Sequence, residues 1–151
     1  IIPALPALPR LHVKRCNRGS AGSAGMIKLT QKDVDGVVAS NPLLTAEGFE
    51  HGFKRDRPEY VPARISVKEM QGAVNWLKKA DRRESLNTAF SSYYLKHMAE
   101  KNAEGKYVSN GAFIAAAYFL GFEVRRIGDG PNAHINISGK FLNKVRRGTV
   151  I

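Results

Sequence analysis

Cysteine is almost missing from this chain: Cys16 is the only one among 151 residues. A single thiol excludes an internal disulfide and a cysteine-based zinc site, which makes a reducing cytoplasm the expected compartment. Long apolar runs are missing too. The longest, Ala112 to Leu120, is nine residues, well short of the roughly 18 to 20 that cross a bilayer. There is no Gly-X-Ser-X-Gly elbow and no glycine-rich phosphate loop. His97 and Glu100 could share a helix face, but no second ligand pair accompanies them. No metal, cofactor or membrane partner is therefore expected, and no catalytic residue can be assigned. Ser91, Ser92 and His97 lie close in sequence, yet residues five or six apart on a helix do not face each other.

Acidic residues are missing from both ends. Residues 1–25 carry Arg10, Lys14, Arg15 and Arg18, and residues 139–151 carry Lys140, Lys144, Arg146 and Arg147, with no Asp or Glu in either stretch. The 113 residues between hold 16 basic and 13 acidic side chains, so most of the net +11 sits at the ends. Basic ends attract polyanions without saying which.

The first 25 residues read as a flexible leader, with a Pro-Ala-Leu repeat followed by a Gly-Ser-Ala tract. They are expected to be foreign to the natural protein, or read through ahead of a start at Met26. A targeting segment is the alternative, although three prolines disfavour an amphipathic helix. Residues 26–62 read as an N-terminal helical segment. Thr30 and Asp33 form a cap, Val34, Val37 and Val38 form a stripe, and Ser40-Asn41-Pro42 is the stop. A short helical turn after Thr45 would bury Phe49 and Phe53, and residues 54–62 form a charged loop.

Residues 63–138 are expected to form a compact helical core closed by a β-hairpin, and residues 139–151 a basic tail. Ser66 and Glu69 make a capping box with Ile65 and Met70 as its staple, and the helix continues through Leu77. Residues 81–87 are polar and read as a connection. A second helix follows to about Ala103, then a third from Gly111 to Leu120, capped by Ser109 or Asn110. That third helix is apolar nearly all round, which implies burial on most sides. Residues 122–127 and the alternating 133–138 then flank a Gly128-Asp129-Gly130-Pro131-Asn132 turn as a hairpin. The expected fold is mainly α with a C-terminal β-hairpin (α+β), in a winged-helix-like order.

In a winged helix-turn-helix the second helix enters the major groove. Lys106, Ser109 and Asn110 would then meet DNA, and Asn can pair bidentately with adenine. The apolar character of residues 111–120 opposes this, because a reading helix needs one wet face. A core helix with Ser109 and Asn110 as caps is the leading alternative. Arg125, Arg126, His134 and Asn136 on the hairpin, with Lys140, Lys144, Arg146 and Arg147 beyond it, complete the candidate nucleic-acid contacts. Tyr93, Tyr94, Tyr107 and Tyr118 could stack on unpaired bases.

Three blocks carry a resemblance: Ser91-Ser92-Tyr93-Tyr94-Leu95-Lys96-His97, then Tyr107 to Ala117 with Leu120-Gly121-Phe122, then Pro131 to Ser138. Together they resemble small bacterial proteins, many associated with phages, prophages or plasmids, which have no assigned activity. The resemblance covers about a third of the chain and implies a bacterial or mobile-element origin, with no site residue carried over. The expected function is a small, basic, non-enzymatic nucleic-acid-binding accessory or regulatory protein, with DNA favoured over RNA. The alternative is a protein–protein interaction module acting on a host or phage protein.

Overall fold

A computed structural model describes residues 27–50, 57–102 and 106–148. The expected leader, Phe53, and the last three residues of the expected tail lie outside them. Among the described residues the fold is mixed α+β, with five helices and two small antiparallel sheets. None of these helices is long and apolar enough to cross a membrane.

Local sequence signals set the helix starts. In α1 (Gln31–Ser40) the Asp33 carboxylate accepts the Thr30 N–H at 2.8 Å, satisfying a donor that the helix cannot. In α2 (Val67–Leu77) Ser66 Oγ accepts from Glu69 N, and the staple residues Ile65 and Met70 are both buried. Between these helices lie two-residue strands β1 (Leu44–Thr45) and β2 (Gly48–Phe49), paired antiparallel. They replace the helical turn expected after Thr45. Gly48, at φ 115°, takes a left-handed conformation that side chains resist.

The stretch expected as a polar connection is strand β3 (Arg82–Asn87). Its pairing rests on main-chain and amide bonds rather than apolar alternation. Asn87 Nδ2 donates to Ile137 O, and Asn136 Nδ2 donates to Arg83 O. Helix α3 (Ser92–Asn102) follows, then α4 (Asn110–Phe119), capped by Ser109 Oγ accepting from Ala112 N. Strands β4 (Val124–Arg126) and β5 (Ala133–Ile137) pair antiparallel, and β3 pairs with the other edge of β5. The result is a three-stranded sheet of order β3-β5-β4, not a two-stranded closing hairpin.

Helix α4 is the hub. It packs on α1, α2, α3, β1, β2 and β4, and residues 110–117 are all buried. Its apolar circumference is thus explained by neighbours on every side. The core extends past residues 63–138 at both ends. Leu29, Val34 and Leu44 belong to it, and so do Phe141, Leu142 and Val145.

Those last three residues correct the expected basic tail. Residues 139–146 form helix α5 (Gly139–Arg146), whose apolar face is buried and whose Phe141 ring meets Trp76 edge-on at 5.3 Å. Burying three such side chains contributes roughly 1.5–3 kcal/mol each, so α5 is part of the domain. Among the described residues the Trp76 indole N–H has no acceptor, at a cost of about 1–3 kcal/mol.

Candidate nucleic-acid interface

The N-terminus of α4 sits in a three-way junction with the β1–β2 turn and the turn before β5. Gly111 N donates to Ala46 O at 2.9 Å, and Phe49 N donates to Pro131 O at 3.0 Å. Space there is exhausted. A Cβ on Gly111 would lie 2.7 Å from Thr45 C and closer still to its oxygen, while one on Gly48 would lie 2.6 Å from Asn110 Nδ2.

Asn110 fills the centre of this junction and is 6% exposed. Its surroundings fix the direction of every hydrogen bond. The main-chain N–H of Ala133 can only donate, so Ser92 Oγ accepts it at 3.0 Å. The Ser92 hydroxyl proton then goes to Asn110 Oδ1 at 2.9 Å. Asn110 Nδ2 is left to donate, with Asn132 Oδ1 at 3.0 Å, Pro131 O at 3.2 Å and Glu47 O at 3.3 Å around it. The chain of bonds ends at Asn132, whose Oδ1 accepts from Asn110 and whose NH2 group is a donor.

Ser109 and Asn110 are therefore buried structural residues, which corrects their assignment as groove contacts. Ser109 spends its hydroxyl on the helix cap, and its N–H donates to Glu69 Oε1 at 2.8 Å. Arg126 and Asn136 are likewise engaged. Arg126 donates to the carbonyls of Glu50, Asp129 and Gly130 and stacks on Phe49, so it ties the turn to β2. Asn136 accepts from Glu123 N and donates to Arg83 O, so its amide links β5 to the strands on either side. His134 is half-buried on the outer face of β5, opposite the exposed Arg125. Lys106 is exposed.

Two other surfaces collect the remaining candidates. The first is the outer face of α5, where Lys140, Lys144, Arg146 and Arg147 are exposed and no carboxylate occurs along the helix. Arg146 lies over the rings of Phe90 and Tyr94, at 4.9 and 5.8 Å, and donates to the Tyr94 hydroxyl at 2.8 Å. Phe90 and Tyr94 are stacked at 5.1 Å. This contact places an aromatic pair from the start of α3 beside the basic helix.

The second surface is a cleft of about 390 Å³ between α3, Tyr107 and the 131–132 turn. Tyr93 and Tyr107 flank it, 52% and 66% exposed. Lys96 lies at its floor, almost wholly buried. Its ammonium group sits 5.2 Å from the Tyr93 ring centre, 4.7 Å from that of Tyr107, and 3.0 Å from Glu100 Oε1. Glu100 also accepts the Val108 N–H at 3.2 Å and faces His97 Nδ1 at 2.9 Å. Burial alone would raise the Glu100 carboxyl. The hydrogen bonds from Lys96, the Val108 N–H and His97, with the lysine's charge, outweigh it and leave Glu100 below the usual carboxylate value. Tyr118, the fourth tyrosine considered, is half-buried on α4, and burial pushes its phenol up.

Residues far apart in the chain meet here: Tyr93 and Lys96, Tyr107 and Ser109, and Pro131 and Asn132. From the sequence the tyrosines stand out as candidate contacts, whereas Glu69 reads only as a helix cap, Ser92 only as a serine close to His97, and Lys96 gives no signal. Only the folded chain brings those residues to one place. Among the described residues no three His, Cys, Asp or Glu side chains converge as a metal-binding group. No protein-family model, curated protein or solved structure matches this chain.

Proposed function

We propose that this is a small, non-enzymatic nucleic-acid-binding protein, an accessory or regulatory factor of a mobile element, and that it holds the phosphate backbone on the outer face of α5. The observation that carries this reading is the construction of that helix. Its apolar side is anchored in the core, and its exposed side presents four cations with no acid among them. Such a row attracts phosphates and releases their counterions. The neighbouring Tyr94, 41% exposed and backed by Arg146, offers a ring on which an unpaired base can stack. That combination suits a single strand better than a duplex, whose bases are already stacked. The winged-helix-like order of elements adds nothing, because the helix that would enter a groove is α4 and its first residues are buried. The mobile-element setting rests on the sequence resemblance. A module that engages a host or phage protein would use the same exposed tyrosines.

The test is a salt series on the full chain with single-stranded DNA, single-stranded RNA and duplex DNA of equal length, read by fluorescence anisotropy. Affinity should fall steeply between roughly 50 and 200 mM salt. Lys140→Glu with Arg147→Glu should lower the single-strand salt slope by about 1.4, or 0.7 for each phosphate contact removed. Absence of binding at the lowest salt overturns the proposal and leaves the protein-partner reading. Binding with an unaltered slope in the double variant moves the interface away from α5.

A further inference from the structure

We infer that the cleft between Tyr93, Tyr107 and the 131–132 turn is a nucleobase subsite that prefers guanine; this rests on the nucleic-acid reading above. The cleft is within the size range of small-ligand pockets. Its walls are tyrosine rings open to solvent, which is what a planar base needs for stacking. Its charge is wrong for a phosphate. The single lysine at the floor is already paired with Glu100 and enclosed by both rings, while Glu47 and Glu69 line the rim. A nucleotide would therefore enter base first, with its phosphates directed outward.

The polar groups that remain have fixed signs. Asn132 lines the cleft, and with its oxygen already accepting from Asn110 at the end of the chain of bonds that starts at Ala133 N–H, its NH2 group is the end left without a partner inside the junction. Glu69 uses Oε1 to hold Ser109 N, which anchors its side chain and leaves the second oxygen as an acceptor. One anchored donor and one anchored carboxylate acceptor form a directional pair. Guanine alone among the bases presents two adjacent donors, N1–H and N2–H2, with the acceptor O6 beside them. Adenine and cytosine place a ring-nitrogen lone pair next to their amino group, which a carboxylate repels. Thymine has a single N–H.

The experiment compares oligothymidine carrying one central guanine with the same strand carrying adenine and with plain oligothymidine, all against the full chain. The guanine strand should bind about fivefold tighter, the low end of what a well-placed pair of hydrogen bonds discriminates. Glu69→Gln should abolish that preference and retain the affinity for plain oligothymidine. A second measurement on the unaltered protein is a titration with guanosine monophosphate followed by NMR. The Asn132 side-chain NH2 and the Tyr107 ring signals should move, and adenosine monophosphate should leave them in place. Equal binding of all three strands overturns the subsite and leaves the α5 reading intact. Failure to bind any strand overturns both. A guanine preference that survives Glu69→Gln, or amide and ring signals indifferent to guanosine monophosphate, also overturns the subsite.

Discussion

Replacing Gly111 by alanine tests the three-way junction, because two physical effects pull stability in opposite directions there. Helix propensity alone favours the change, by about 1 kcal/mol for glycine to alanine inside a helix. Gly36, in α1, is exposed, and a Cβ added to it would meet nothing within 4 Å, so Gly36→Ala should realise part of that gain. At Gly111 the same methyl would fall 2.7 Å from Thr45 C and nearer still to Thr45 O. Main chain cannot yield as a flexible side chain does, so the β1–β2 turn must withdraw. Withdrawal breaks the bonds from Gly111 N to Ala46 O and from Phe49 N to Pro131 O. Each donor left unpaired costs about 1–3 kcal/mol. After subtracting the propensity gain, Gly111→Ala should destabilise the domain by about 3 kcal/mol, taking two such donors at mid-range. For a chain of this size that is a fall in Tm of about 6–12 °C. Urea unfolding followed by Trp76 fluorescence, run beside Gly36→Ala, gives both numbers. A Gly111→Ala protein as stable as the wild type would refute the packing argument, and with it the claim that the junction has no spare room.

Three further outcomes follow from the same geometry. Ser92→Ala removes the hydroxyl between Ala133 N and Asn110 Oδ1; it should cost about 2–4 kcal/mol by stranding two buried groups, and a loss below about 1 kcal/mol in chemical denaturation would contradict the fixed bond directions. Phe141→Ala should cost about 3–5 kcal/mol and shift Trp76 emission to the red, since the two rings meet at 5.3 Å; unchanged emission would mean that α5 is undocked in solution. Glu100 has a folded-state pKa below its unfolded one, so its contribution is present above the unfolded value, about 4.3, and is lost as pH falls through the folded one. Glu100→Gln should therefore flatten the dependence of Tm on pH on the acid side of that value, and identical acid limbs in the two proteins would remove Glu100 from the account.

How much of the fold was legible beforehand depended on range. The caps of α1, α2 and α4 are local, decided by Thr30 with Asp33, by Ser66 with Glu69, and by Ser109, and a reader of sequence can see them. The all-round burial of α4 was also legible, because no face of residues 111–117 offers water anything polar. Strand β3 was hidden: Arg82 to Asn87 has no apolar alternation, and what pairs it is the amides of Asn87 and Asn136 reaching for distant main chain. The β1–β2 pair is too short to have a pattern and exists because it docks on α4. Helix α5 did carry a signal, Phe141, Leu142 and Val145 at helical spacing, but the four cations around it read as a tail. At the site, the tyrosines could be named in advance. The anchoring of Glu69 to Ser109 could not, since it joins residues 40 apart in sequence.

The burial of α4 on all sides has a consequence for how the chain is made. The helix leaves the ribosome ahead of β4, β5 and α5, three of the elements that finish the core, so its surface of Ala, Phe and Ile has only the helices and strands before it for cover meanwhile. The Asn110 amide cannot be satisfied until Pro131, Asn132 and Ala133 have been translated, and Trp76 stays uncovered until Phe141 follows. Closure is therefore an event of the C-terminal elements, although most of what it closes over was synthesised long before. A product that stops short of residue 133 would keep α1, α2, α3, β1, β2 and β4 around α4 but leave Ser92 without Ala133 N–H and Trp76 without Phe141, an unfinished core open to chaperones and proteases rather than a smaller version of the same protein.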